Sequence, residues 1–447
     1  MIELGKQGVY NCRLLTMEEG YPYYDNGALV WDDDGILLAA GDLEKVRENH
    51  IEVEWRDLFG HFVMPGLVCA HGHLYSSLAR GISLKDEAPE NFGQILERLW
   101  WRLDKALDKR SIEDSALIGL LDSVRAGTTT YIDHHASPNS IEGSLDLIAE
   151  AALKVGLRVC TCYEVSDRDG IQKRDAAIEE NLRFIEAYPP GKHPSISSAF
   201  GLHASFTLDT ESLNKVASVK PEEVGIHIHC CEAMEDCSVS KQKYGSRPIS
   251  RLKKSKLLDS RSLLVHCVHL NKREREVLAE KGAKVIHNPM SNMNNAVGIA
   301  PVLDFMERGI PVALGTDGYS SSVFDEYSVA TTLHKLAAKD PRKAFSEPAR
   351  MLFDNNKKLA SPLFKNPVGT LEAGSCADFL IMDYEPPTPL STENVLGHLC
   401  MGLSRIRPSE VVIGGNTIVR NGLFASFDST EIASRARETA KGLWERF

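Results

Sequence analysis

The chain has 447 residues, 43% of them apolar and 25% charged. That is the composition of a globular protein, and the length exceeds one core of ordinary size unless the fold is a large barrel with additions. Lys plus Arg number 51 against 62 Asp plus Glu, a formal net charge of −11, which argues against a nucleic-acid partner or an anionic membrane.

Residues 1–10 do not read as a secretory signal, and no apolar stretch approaches the roughly 20 residues of a membrane span. The first 60 residues predict short strands. Ala28-Leu29-Val30-Trp31 and Ile36-Leu37-Leu38-Ala39 flank Asp32-Asp33-Asp34-Gly35, a hairpin signal. Apolar runs ending near His71, His135, Val165, His203, Cys231, Cys267, His287 and Thr316 then predict strands, separated by helical patterns over 114–126, 144–155, 174–187, 272–281 and 301–308. Strand and helix alternating about eight times over about 300 residues predict an α/β fold, a (β/α)₈ TIM-like barrel spanning residues 62–365. Phe92, Ile95, Leu96, Leu99, Trp100, Leu103 and Leu107 fall at helical spacing in an insertion after the first strand, which makes Trp100 a core residue. Trp101 lies off that stripe, where it could stack on a planar ligand above the barrel mouth. The chain closes with a strand at Ala377-Asp378-Phe379-Leu380-Ile381-Met382, a hairpin about Gly414-Gly415-Asn416 and a helix over 430–444. Residues 1–61 and 366–447 are thus expected to meet in a small β-sandwich domain. The ten cysteines follow no regular framework, and adjacent Cys230 and Cys231 suit a disulfide poorly, so reduced thiols in a cytoplasmic protein are expected.

The histidines concentrate where barrel strands end. Pro65-Gly66-Leu67-Val68-Cys69-Ala70-His71-Gly72-His73 is an apolar strand ending in His-x-His, and alternate strand residues share a face. Gly225-Ile226-His227-Ile228-His229-Cys230-Cys231-Glu232 repeats the pattern, with Glu232 just past the strand. A third run ends in His266-Cys267-Val268-His269 and a fourth in Gly315-Thr316-Asp317-Gly318. Active sites of barrels are assembled at the carboxyl ends of their strands. Three imidazoles and a carboxylate there suit one divalent cation, zinc or alternatively iron, with a position left for water. Water bound to such an ion has a pKa of roughly 7 and becomes a hydroxide nucleophile at neutral pH. Glu232 is placed to carry a proton to a leaving group, and His266 to hold the water.

These motifs, in this order and spacing, resemble the amidohydrolase superfamily in its metal-dependent deaminase and chlorohydrolase branch. Asn288-Pro289-Met290-Ser291-Asn292 and Gly369-Thr370-Leu371-Glu372-Ala373-Gly374 carry the likeness further. Leu99-Trp100-Trp101-Arg102-Leu103-Asp104 and Asp133-His134-His135-Ala136-Ser137-Pro138 resemble SsnA-type aminohydrolases. The resemblance implies His71, His73, His229 and Asp317 as metal ligands and Glu232 as the acid toward the ring nitrogen and the departing amine. It also implies His266 and Asp317 as the groups that orient and deprotonate the water, and His203 as a substrate contact. Arg80 matches a recurring position and either binds substrate or forms an ion pair. His135 (or His134) and Asn292 complete the expected substrate contacts, each with packing or loop capping as the alternative. His227 is expected one layer below His229. Binuclear members carry a carboxylated lysine at the end of the fourth strand, and residues 195–208 contain no lysine. A single metal is therefore implied.

The expected reaction is hydrolytic deamination of a purine-, pterin- or pyrimidine-like heterocycle. The alternatives are chloride or an amide nitrogen as leaving group, and a scaffold that has lost its chemistry. The partners are the small-molecule substrate and water, in a protein expected to be a homodimer.

Overall fold

The computed structural model describes residues 5–447. Five strands come first: β1 (Gln7–Leu15), β2 (Tyr23–Trp31), β3 (Leu37–Asp42), β4 (Glu54–Asp57) and β5 (Phe62–Pro65). Nine parallel segments follow: β6 (Leu67–Gly72), β7 (Thr128–Asp133), β8 (Arg158–Thr161), β9 (Ile196–Ser198), β10 (Phe200–Ala204), β11 (Ile226–Cys230), β12 (Leu263–His266), β13 (Lys284–His287) and β14 (Val312–Leu314). The C-terminal strands are β15 (Phe379–Met382), β16 (Glu410–Ile413), β17 (Asn416–Arg420) and β18 (Leu423–Phe424).

The parallel segments form two sheets, β6-β7-β8-β9 and β10-β11-β12-β13-β14. Only Ala199 separates β9 from β10. A parallel bridge between Val165 and Leu202 joins the extension of β8 to β10, and another between Gly72 and Asp317 joins the end of β6 to the segment after β14. Two amides reinforce the second junction, Thr316 N to His71 O at 2.8 Å and Asp317 N to His71 O at 3.2 Å. Helices such as Lys109–Arg125, Ser144–Val155, Ile171–Ala187 and Lys272–Lys281 lie between consecutive strands, which gives a mixed α/β architecture with parallel pairing. The strands are buried on both faces and consist of nearly unbroken apolar runs, as sheets covered by helices require.

Strands from the two ends of the chain hydrogen-bond into one nine-stranded sheet, ordered β18-β17-β16-β15-β5-β1-β2-β3, with β4 also on β1. Both expected hairpins are present, β2 with β3 and β16 with β17. β5 and β15 alternate faces: Val63, Phe379 and Ile381 pack in the sheet's own core, while Phe62, Met64, Leu380 and Met382 pack toward the parallel strands. Trp31 of β2 meets Phe379 of β15 with ring centroids 5.4 Å apart, although β1 and β5 separate them in the sheet.

The insertion after β6 is helical, as its spacing predicts, with Phe92, Leu96, Leu103 and Leu107 in the core and Trp100 packed against it. It runs as Phe92–Ile95, a π-helical Leu96–Trp100, and Trp101–Ala106. The π-helical turn holds more residues than an α-turn, so the apolar stripe shifts round the axis. Trp100 and Trp101 consequently both reach the same cavity. All ten cysteines are free. Among the described residues, no helix is long and apolar enough to cross a membrane.

Candidate metal and catalytic site

The site lies where the parallel strands end. β6 delivers His71 and, through Gly72, His73. A Cβ at position 72 would lie 1.9 Å from Tyr131 Oη, so nothing larger than glycine fits between the two histidines. A Cβ at Gly315 would come within 2.6 Å of the His71 carbonyl oxygen, which explains the glycine ahead of Thr316 and Asp317. Cys231, His266, Cys267 and Asp317 all have left-handed backbone (φ 51°, 70°, 53° and 54°). Each such residue costs on the order of 1–3 kcal/mol, and such costs cluster where a strand end must aim a side chain.

Four of the expected residues converge. Nε2 atoms of His73 and His229 lie 3.1 Å apart. Asp317 Oδ1 is 3.1 Å from His73 Nε2 and 3.5 Å from His71 Nε2. Ligand atoms sharing a tetrahedral zinc at the usual bond lengths stand roughly 3.4 Å apart, so this spacing fits one ion. The remaining ring nitrogens are already engaged. His73 Nδ1 donates to the His134 carbonyl at 2.6 Å, and His229 Nδ1 to the His203 carbonyl at 3.0 Å. Carbonyls only accept, so these bonds direct the Nε2 lone pairs inward. His71 Nε2 is buried with no hydrogen-bond partner, while its Nδ1 meets His227 Nε2 at 2.9 Å. This donor set, three imidazoles with fixed tautomers and one carboxylate, fits a borderline divalent cation.

The electrostatics agree. Burial pushes the pKa of His71 down to about 3 and that of His229 well below the usual range. Burial alone would raise the Asp317 carboxyl, but His71, His73 and His266 hold it well below the usual carboxylate range. Burial also opposes a charge on His73, yet Asp317 and Glu164 beside it pull its pKa up to about 9. A cation binding there must compete with that proton. The neighbouring thiols are inert by the same physics, since burial raises Cys69 to about 11 and Cys160 to about 12.

His227 lies under His71, with its Nδ1 3.7 Å from Cys162 Sγ. With the His71 Nε2 lone pair directed inward, its Nε2 must accept the His71 Nδ1 proton, so it fixes the tautomer of a candidate ligand. His227→Phe should weaken metal binding by about 10–100-fold, read by competition with a chromophoric chelator. Unchanged affinity in a folded variant would contradict this role.

Beside the four converging residues, His266 Nε2 is 3.3 Å from Glu232 Oε2 and 3.6 Å from Asp317 Oδ2. Burial lifts the Glu232 carboxyl to about 7. A cavity opens above, lined by Tyr75, Phe92, Leu96, Trp100, Trp101 and Phe206 with the polar groups at its floor. His203 and Trp101 both line it. Asn292 instead accepts from His266 Nδ1 at 2.8 Å, so it reaches the site through another side chain. His135 is fully buried and bonds Ser137 Oγ at 2.9 Å, outside the cavity lining. Arg80 bonds Asp122 at 2.7 Å with most of its side chain in solvent, and lines an adjacent cleft rather than the cavity.

Sequence reasoning missed several residues. Ser291 Oγ donates to Asp317 Oδ2 at 2.6 Å, and Asn295 Nδ2 to Glu232 Oε1 at 3.3 Å. Both belong to or follow the Asn288–Asn292 run already noted as a motif, which was the available signal. Glu164 and Asp104 also line the cavity, with no motif to mark them.

Glu326 supports this run from below. It accepts from Met290 N and Ser320 Oγ, both at 3.0 Å, and is fully buried. Burial raises its pKa to about 8. The folded chain therefore holds a proton that an unfolded glutamate releases near pH 4.3. This contribution to stability is complete below that pH and is lost as pH rises through about 8. Glu326→Gln, which keeps an acceptor for Met290 N, should flatten the fall in melting temperature between pH 5 and 8.5. Parallel curves for the two proteins would contradict this.

Comparison with known proteins places these features in a family. Residues 62–418 match the amidohydrolase family model. The chain is 29% identical to a 5'-deoxyadenosine deaminase of Methanopyrus kandleri, over 94% of this chain and 95% of that one. It is 31% identical to a 5-methylthioadenosine/S-adenosylhomocysteine deaminase of Bacillus cytotoxicus, over 98% and 99%. Among solved structures, a zinc-bound adenosine deaminase from Xanthomonas campestris superposes with a TM-score of 0.86 at 21% identity, covering 98% of each chain. The zinc complex of the atrazine chlorohydrolase TrzN from Arthrobacter aurescens gives 0.82 at 22%, covering 97% of this chain and 100% of that one. With its motifs, its strand-end site and a family match over most of its length, the chain belongs to the amidohydrolase family and is a hydrolase acting on C–N bonds.

Proposed function

We propose that the chain is a metal-dependent aminohydrolase that replaces an amino group on a nitrogen heterocycle with oxygen and releases ammonia. Among purine-, pterin- and pyrimidine-like rings, purine nucleosides come first, because the relatives above carry the names of adenosine-derivative deaminases. The observation that carries the reading is the convergence of His71, His229, His266 and Asp317, with His73 against His229 and Asp317 and Glu232 against His266. We infer one divalent cation per chain, zinc first, held by His71, His73, His229 and Asp317. When bound, the cation acidifies water and so supplies a nucleophile at neutral pH.

The protein's own groups do the rest. Asp317 divides its oxygens: Oδ1 faces His71 and His73, and Oδ2 faces His266 and Ser291. His266 Nε2 and Asp317 Oδ2 orient the attacking water, and Asp317 Oδ2 takes its proton. Glu232 gives a proton to the ring nitrogen next to the reacting carbon, which draws electrons from that carbon. It regains one from the added hydroxyl as the carbon–oxygen double bond forms and passes it to the amine as the C–N bond breaks, and the proton held by Asp317 then restores the Glu232 acid. Trp101 and Phe206 offer faces for the ring.

This site sits on what we read as a closed (β/α)₈ barrel over residues 62–365. The two bridges that join the parallel sheets support closure. Residues 1–61 and 366–447 form a layered terminal unit in this reading, supported by the Trp31–Phe379 contact across its sheet. A cytoplasmic setting is supported by the ten free thiols, and a two-fold dimer is the common assembly for such enzymes. The test is product release across 6-aminopurine nucleosides, guanine, aminopterins, aminopyrimidines and amino- and chlorotriazines. Ammonia from one ring class is expected. Chloride or amide cleavage alone would overturn the deaminase reading in favour of another leaving group.

A further inference from the structure

Glu164 follows β8 in extended chain, with its amide on the His135 carbonyl at 2.8 Å, and is 4% exposed. Its Oε1 is buried with no hydrogen-bond partner. The nitrogens nearby do not satisfy it. His73 Nδ1 and His134 Nδ1 are each 3.4 Å away, and the His73 proton is committed to the His134 carbonyl. Oε2 lies 3.9 Å from His203 Nε2, beyond hydrogen-bond range. That nitrogen is itself an acceptor. His203 Nδ1 is 2.8 Å from Thr207 Oγ1, whose hydroxyl donates to the Ala204 carbonyl at 3.0 Å. The hydroxyl must therefore receive the Nδ1 proton, which leaves the Nε2 lone pair facing Glu164.

Two acceptors stand side by side in the cavity wall with no donor between them. A buried acceptor without a partner costs about 1–3 kcal/mol, a cost that a ligand supplying hydrogens removes. We propose that Glu164, with His203, forms an acceptor edge that reads N–H donors of the substrate. These are the hydrogens of the exocyclic amine at the reacting carbon, because Glu164 adjoins His73 at the cavity floor rather than the mouth. Chloride in the same place presents lone pairs to lone pairs and is rejected. The edge thus sets the choice of amine over halide, which rests on the deaminase reading and deepens it. Glu164 is a specificity-determining residue and carries no proton in the reaction.

The test compares adenosine with 6-chloropurine riboside. Binding is measured by calorimetry on the Glu232→Gln holoenzyme, with and without Glu164→Gln, and kcat/KM on the corresponding proteins with Glu232 intact. Metal content is checked in each. The intact edge should favour adenosine over the chloro analogue by at least about tenfold in Kd, well inside what a site built around a donor achieves. Glu164→Gln should remove most of that preference while metal content holds. An equal loss of affinity for both compounds, or an unchanged preference, would overturn the proposal. If the preference depends on Glu164 but no ammonia forms with Glu232 intact, the deaminase reading fails and the acceptor edge stands.

Discussion

Glu232→Gln should lower ammonia release by about 10²–10⁴-fold, the contribution of a positioned general acid, without loss of metal. The substitution is nearly isosteric where it sits. The glutamine oxygen can still accept from Asn295 Nδ2, now 3.3 Å from Oε1, and its amide can donate to the His266 Nε2 lone pair, now 3.3 Å from Oε2. What disappears is a group able to hand a proton to the ring nitrogen. Burial lifts the native carboxyl to about 7, within reach of both protonation states at neutral pH. Ammonia release and metal content measured on one preparation check this. A variant that keeps its metal and more than a tenth of the activity would show that the acid is another residue.

The second large effect is on stability. Asp378→Ala should cost about 3–5 kcal/mol, the range for stranding one member of a buried ion pair. Asp378 precedes β15 in the terminal sheet, and Arg158 opens β8 of the parallel sheets. Their side chains are bonded to each other at 0% and 7% exposure. Asp378 also accepts from Gly414 N at 2.8 Å, which ties down the β16–β17 hairpin, and Arg158 Nε donates to the Pro194 carbonyl at 3.1 Å. Without the carboxylate, a buried guanidinium and a hairpin amide lose their partner together. Denaturant unfolding gives the difference. A loss below about 1 kcal/mol would mean that water reaches the site and solvates Arg158.

Much of the site was legible in the sequence because one rule carries it. Barrel strands bring their carboxyl ends to one face, so His71, His73, His229, His266 and Asp317 could be grouped from four short apolar runs. Helix positions were readable for the same local reason: 144–155 and 272–281 agree with Ser144–Val155 and Lys272–Lys281. The residues that escaped depend on contacts made after the chain has folded. Glu164 is an unremarked glutamate between Tyr163 and Val165 until packing sets it against His73, His134 and His203. Asn292 lies in a recognised motif, but only the fold decides that it serves His266 instead of the cavity. Arg80 has an acid partner 42 residues away on the helix Lys109–Arg125, beyond any local pattern. Trp100 packs against the core as its spacing predicts, but it also lines the cavity, because the π-helical Leu96–Trp100 turn does not keep a 3.6-residue period.

The most direct measurement is a titration of zinc into chelator-treated protein, with ammonia release from the best substrate followed at each addition. Activity that is lost on chelation and returns linearly to a plateau at one zinc per chain is the predicted result. It would establish that the His71, His73, His229 and Asp317 site holds one essential cation. Full activity after complete metal removal, or metal bound at one per chain with no ammonia formed from any ring, would contradict it.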